Sequence, residues 1–245
     1  MTETDLQLGG GYAYQWECAI LLALNYFFEP VCYSPDLFNL IDSFLGRVGE
    51  IYLEGEDRER GIDLEDINLV NEDRRVLIQV KTKQAEGERW TPSDPLLLKA
   101  LYRFYNSRFL ADQPEATRFI FLTNRPFNPD VVAVKEAVRE GHVTASATAD
   151  RLGEYLDRYA RGKSDAPLDG DRFRQMLVRT RFVEYLSVDA VKANIQKSLK
   201  ALGRDDWQTA HAVLFEDFAR RSRQGGGGTV TRASVMDVLG APPGP

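Results

Sequence analysis

The chain has 245 residues, 43% of them hydrophobic and 28% charged, and a formal net charge of −6. That balance reads as an ordinary soluble globular protein, long enough to bury a sizeable core. The longest apolar run, Cys18 to Leu24, is too short to cross a bilayer, Met1 to Asp5 lacks a signal-peptide pattern, and two cysteines, Cys18 and Cys32, give neither a disulfide framework nor a zinc-ligand spacing. A cytoplasmic location with no membrane partner is the expectation.

The charge is uneven. Residues 1–72 hold 15 acidic and 3 basic side chains, a net of −12, whereas residues 151–224 hold 15 basic and 11 acidic ones, a net of +4. Steering follows local potential rather than the total, so a nucleic-acid partner stays open. A cluster of carboxylates is also what a divalent cation requires.

In chain order, Gly9-Gly10-Gly11 precedes an apolar-periodic stretch that predicts a first helix over Tyr12 to Phe28, ended by Pro30. A short helix over 36–45 and a strand over Val48 to Leu53 follow. Asp66 to Val70 and Arg75 to Thr82 read as two strands joined by Asn71 to Arg74, a hairpin with a four-residue loop. Leu96 to Leu110 reads as a helix and Thr117 to Thr123 as a buried strand. Helices are then predicted over 131–140, 149–161, 171–186, 188–202 and 205–223, with another starting at Arg232. The fold class is α/β, a mixed β-sheet flanked by helices with a helical C-terminal region. Three segments are expected: a core over 1–130, a helical region over 131–224 packed on it, and a Gly/Pro-rich linker or tail over 225–245 leading toward a further domain.

The chemistry concentrates on the hairpin. Alternation places Leu77, Gln79, Lys81 and Lys83 on one face of the second strand. With Val70 opposite Arg75, Asp66 lies opposite Gln79 and shares that face, so Asp66, Gln79 and Lys81 converge. Phosphodiester hydrolysis needs a divalent cation to polarise the phosphate and lower the pKa of an attacking water. Asp66 supplies an anionic oxygen and Gln79 a neutral one to Mg²⁺, with Mn²⁺ as its substitute, while Lys81 stabilises charge on the phosphoryl oxygens.

Asp66 with Leu77-Ile-Gln-Val-Lys81 resembles the Asp…Gln-x-Lys form of the PD-(D/E)XK motif of Mrr-like restriction endonucleases. Together with Gly10-Gly-Tyr-Ala-Tyr-Gln15 and Gly61-Ile-Asp-Leu-Glu-Asp-Ile67, it is similar to the double-stranded-DNA endonuclease effectors of bacterial antiphage defence. The resemblance covers residues 9–125. It implies a restriction-endonuclease-like fold, a Mg²⁺-dependent endodeoxyribonuclease, and a carboxylate from the first helix in the metal site, for which Glu17 is the match. It further implies a fused or separate sensor or ATPase partner.

Glu54, at the end of the preceding strand, is a further candidate ligand, ahead of Asp63 and Glu65. Lys83, Arg89 and Arg125 flank the proposed site as phosphate contacts. Arg172 opens a basic helical stretch with Arg174, Arg179 and Arg181 that tracks a DNA backbone or is simply amphipathic. One hydrolytic centre cuts one strand, so duplex breaks imply a homo-oligomer. The alternative is a catalytically idle DNA-binding or oligomerisation module of the same fold, and RNA or single-stranded DNA stays open as substrate. His142 and His211 lie far apart and off the core strands, which argues against histidine-based nucleases.

Overall fold

In a computed structural model, residues 3–28, 35–53, 56–57, 62–63, 66–83, 85, 87–163, 167–223 and 228–240 are described. Helix α1 (Glu3–Phe27) and α2 (Pro35–Leu45) precede β1 (Glu50–Leu53), a two-stranded ribbon of β2 (Glu56–Asp57) and β3 (Ile62–Asp63), and the pair β4 (Ile67–Asn71) and β5 (Arg74–Lys81). Then come α3 (Pro95–Asn106), α4 (Arg108–Asp112), β6 (Thr117–Thr123), α5 (Pro129–Glu140), α6 (Ala147–Arg161), α7 (Gly170–Val178) and β7 (Thr180–Glu184). The chain continues with α8 (Val188–Ala201), α9 (Trp207–Arg223), β8 (Thr229–Val230) and α10 (Arg232–Leu239). Six strands in the order β7-β6-β5-β4-β1-β8 form one mixed sheet: β1 is antiparallel to β4 and β8, and β6 is parallel to β7. The mixed sheet flanked by helices is therefore as predicted. No helix among the described residues is long and apolar enough to cross a membrane.

Four boundaries differ from expectation, each for a local reason. Helix α1 starts at Glu3 and runs through Gly9–Gly11. Three glycines cost a helix interior about 1 kcal/mol each, but residues 14–25 are all buried and packing carries the helix. The predicted helix over 96–110 breaks at Ser107, whose extended backbone ends α3 and starts α4. The hairpin loop is two residues, Glu72 and Asp73, rather than four. The predicted helix over 171–186 ends at Val178, and Thr180 to Glu184 joins the sheet, with Phe119 beside Thr180 and Phe121 beside Phe182.

The chain divides into two compact units, Met1–Val76 with Tyr185–Pro245, and Leu77–Glu184. In the first, α1 packs on α8, α9 and α10, and α9 on β1. Val230 and Val235 are buried here, so the described part of the segment after Gly228 is packed structure. In the second, α3 packs on β6, α6 and α7. Its core is aromatic: Phe104 lies 4.8 Å from Phe119, and Phe121 lies 5.0 Å from Trp90 and 6.4 Å from Phe182 between ring centroids.

The two-residue loop makes a stability prediction. Glu72 sits at φ 51°, a left-handed conformation that its Cβ disfavours and asparagine tolerates. Glu72→Asn should raise unfolding free energy by about 0.5 kcal/mol, read as a higher urea midpoint at unchanged slope. A lowered midpoint would show that the Glu72 side chain stabilises the turn by other means.

Candidate functional site

In the second unit the site is built on β5. Gln79 is fully buried, at 0% exposure, and its Oε1 accepts from Arg103 Nη1 at 3.3 Å. Its Nε2 is buried with no hydrogen-bond partner among the described residues. Lys81, two residues on and so on the same face of the strand, is half-buried. Arg103 reaches this face because α3 starts where it does. Asp94 caps the helix, with Leu96 N donating to Oδ1 at 3.0 Å, and Pro95 takes the first helical position, where no N–H is needed. Leu97, Ala100, Leu101 and Phe104 are buried.

The strand's exit is tied as closely. Lys83 N donates to Asn124 Oδ1 at 3.2 Å, and Lys83 O accepts from Asn124 Nδ2 at 3.4 Å and Arg125 Nε at 3.3 Å. The Lys83 ammonium lies 2.5 Å from Asp94 Oδ2 and 4.8 Å from the Trp90 ring centroid. Trp90 is fully buried and donates its indole N–H to Thr123 Oγ1 at 2.5 Å. Lys83 and Arg125, expected as phosphate contacts, thus take part in holding the loop after β5, while Arg89 is exposed. Arg172 donates from Nε to Tyr105 O at 2.9 Å and stacks over the Tyr105 ring at 5.3 Å, which ties α7 to the end of α3.

The first unit holds Asp66 and Glu17. Asp66 is 2% exposed, and its carbonyl oxygen accepts from Gln15 Nε2 at 3.2 Å. Glu17 is 3% exposed, and its Oε2 lies 2.7 Å from His211 Nε2 on α9. Two residues on a helix are about 200° apart around its axis, so Gln15 and Glu17 leave α1 on opposite sides. The helix carboxylate expected to complete a metal centre is thereby directed at a histidine of α9. Glu54 lies outside the described residues, as do Glu65 and the Asp63 side chain. Among the described residues no group of three or more His, Cys, Asp and Glu side chains could hold a metal ion.

Burial, before any other cause, pushes the Tyr14 phenol and the Cys18 thiol well above their ordinary pKa values. Cys18 is therefore a neutral core thiol rather than a nucleophile. The Tyr14 hydroxyl donates to Leu186 O at 2.7 Å and Trp16 Nε1 to Ser222 Oγ at 3.0 Å, which ties both side chains into the first unit.

No protein-family model and no curated protein matches the sequence. Solved structures similar to it include the Cap4 SAVED/CARF-domain containing receptor of Acinetobacter baumannii with the cyclic trinucleotide 2'3'3'-cAAA. That structure has a TM-score of 0.49 and 10% identity, over 94% of this chain and 44% of that one. The same receptor with 3'3'3'-cAAA gives 0.48, 11%, 94% and 44%. The Moraxella osloensis Cap4 receptor gives 0.45, 11%, 94% and 46%. The chain thus spans less than half the length of these receptors.

These findings correct the sequence-based assignment. The similar structures are receptors, two of them holding a cyclic trinucleotide. The placement among PD-(D/E)XK nucleases, the endodeoxyribonuclease activity and its DNA-binding alternative are set aside. Glu17 pairs with His211, and the Gln79 oxygen accepts from Arg103. Self-association, expected in part because duplex cleavage needs two centres, loses that ground.

Removing the Glu17 carboxylate takes away the partner of the half-buried His211, so Glu17→Ala should cost about 1 kcal/mol of stability, and Glu17→Gln less. Urea unfolding of both variants checks this. Equal stability of Glu17→Ala and the parent chain would show that the His211 contact carries no weight.

Proposed function

We propose that this chain is a binding module for a phosphodiester-bearing nucleotide, held on the β5 face formed by Gln79, Lys81 and Arg103. The observation that carries the reading is the buried Gln79 Nε2, which has no acceptor among the described residues, beside a guanidinium. Buried polar groups are almost always hydrogen-bonded, and the exceptions call for a missing partner. Here the missing partner is an acceptor oxygen. Arg103 and Lys81 favour one that carries negative charge, and a guanidinium matches phosphate oxygens in planar geometry.

Within that class a cyclic oligonucleotide is the ligand we put first, with a signal-sensing role in antiviral defence and an effector or further domain that responds to it. Cyclic trinucleotides are the ligands present in two of the compared receptors, which makes them the natural first probes. Mg²⁺ or Mn²⁺ enters this reading as a counter-ion of the bound phosphodiester.

Isothermal titration with 3'3'3'-cAAA, its linear counterpart and inorganic pyrophosphate, each with and without Mg²⁺ or Mn²⁺, tests the proposal. Saturable binding is expected, weakened at least about tenfold in Arg103→Ala and Gln79→Met, since each removes a hydrogen bond to a charged group. Gln79→Met also removes the stranded amide, so its urea midpoint should not fall. Binding that is absent for every probe, or unchanged in both variants, would falsify the assignment.

A further inference from the structure

Arg103 shares its side of α3 with two exposed residues. Each residue of an α-helix turns by about 100°, so Lys99, four positions earlier, lies within about 40° of Arg103. Leu96, seven positions earlier, lies within about 20° of it. The three form one line along the helix, with Lys99 about 6 Å from Arg103 along the axis. The side turned away from this line, Leu97, Leu98, Ala100, Leu101 and Phe104, is buried in the second unit. Lys99 is exposed, and Leu96 is 44% exposed despite its size. Helix α3 contains no acidic residue, and Asp94 at its start pairs with Lys83. The line therefore has cationic and apolar character with no carboxylate of α3 to neutralise it.

Arg103 leads from this line into the fold, since its Nη1 donates to Gln79 Oε1 at 3.3 Å. A phosphate held at Gln79 and Arg103 thus lies at one end of a strip that continues, one turn back along α3, with a second cation. A single phosphate is served by the first position alone. In a nucleotide chain successive phosphates are separated by one sugar, a spacing of the same order as one helical turn. A lysine suits the second position, because its ammonium is a point charge on a flexible four-carbon stem and needs no fixed geometry. Leu96, beyond it, offers an apolar surface to a sugar or base.

We infer that Lys99 is a second phosphate contact, and that the β5 face takes a ligand with at least two phosphodiester links rather than a mononucleotide. This rests on the binding function proposed above and adds the residue that distinguishes an oligonucleotide from a single nucleotide. The contact is electrostatic, so it is indifferent to base identity and sensitive to salt.

The test titrates the full chain, Lys99→Ala and Lys99→Arg over a range of salt concentrations with two ligands. One is 3'3'3'-cAAA; the other is the methyl ester of adenosine 5'-monophosphate, which has a single phosphodiester. Because Lys99 is exposed and alanine suits a helix, Lys99→Ala should keep the parental urea midpoint. It should bind the cyclic trinucleotide about fivefold more weakly, with a salt dependence of log Kd shallower by about 0.7. Lys99→Arg should keep the parental affinity and slope, and the methyl ester should bind all three proteins alike. Unchanged trinucleotide affinity and slope in Lys99→Ala, or equal losses for the two ligands, would overturn the inference and leave the Gln79–Arg103 position standing. A parent chain that binds the methyl ester as tightly as the trinucleotide would do the same. Binding of neither ligand by the parent would take the underlying function as well.

Discussion

The burial of β5 is the constraint on which the rest of the second unit depends. Every residue from Val76 to Val80 is buried, with exposure no higher than 4%, and the series includes Gln79. An amide taken out of water without partners costs several times what its burial returns, so the strand dictates that a donor arrive from elsewhere. Helix α3 delivers it as Arg103, and one carboxylate secures the delivery. Asp94 accepts from Leu96 N with one oxygen, which fixes the start of α3, and pairs with Lys83 through the other, which fixes the exit of β5. A single side chain thereby holds the strand and the helix whose residues meet at Gln79.

Local signals made much of this legible and non-local ones did not. Thr117 to Thr123 reads as a strand because six of its seven residues are apolar or β-branched and Asn124 with Pro126 stops it, and β6 has those bounds. Helix α10 is legible from Arg232 to Leu239, where Thr231 and Ser234 close a reciprocal cap. Strand β7 was hidden. Phe173, Met176 and Leu177 recur at helical spacing, and the pattern runs on smoothly into Thr180 and Arg181. What converts the segment is its parallel pairing with β6, some sixty residues earlier, which no local periodicity reports.

The polar residues divide along the same line. Gln79 and Lys81 were legible as a pair on one face because strand alternation is local. Arg103 was not: on an amphipathic helix a half-buried arginine reads as boundary, and only the contact 24 residues back shows its task. His211 was read as off the core strands, and it sits on α9, yet its partner lies 194 residues away on α1. Glu17 shows how helix direction divides close neighbours. The helical turn between Gln15 and Glu17 sends one toward Asp66 and the other toward α9. Sequence distance along a helix specifies direction as well as separation.

What the β5 face offers a ligand follows from which atoms are already committed. The Gln79 oxygen is occupied by a guanidinium, so the amide presents its N–H side, and the cations of Arg103 and Lys81 reinforce a demand for acceptor oxygens. Leaving that N–H unsatisfied costs about 1–3 kcal/mol, which is tolerable against a typical folding stability of about 5–15 kcal/mol. A ligand oxygen that meets it removes the penalty in the bound state alone. By linkage, the bound chain is then the more stable one, by about 2.7 kcal/mol at a ligand concentration one hundred times Kd. On the proposed reading, the cost of burying that N–H and the affinity for a ligand oxygen are two aspects of one donor.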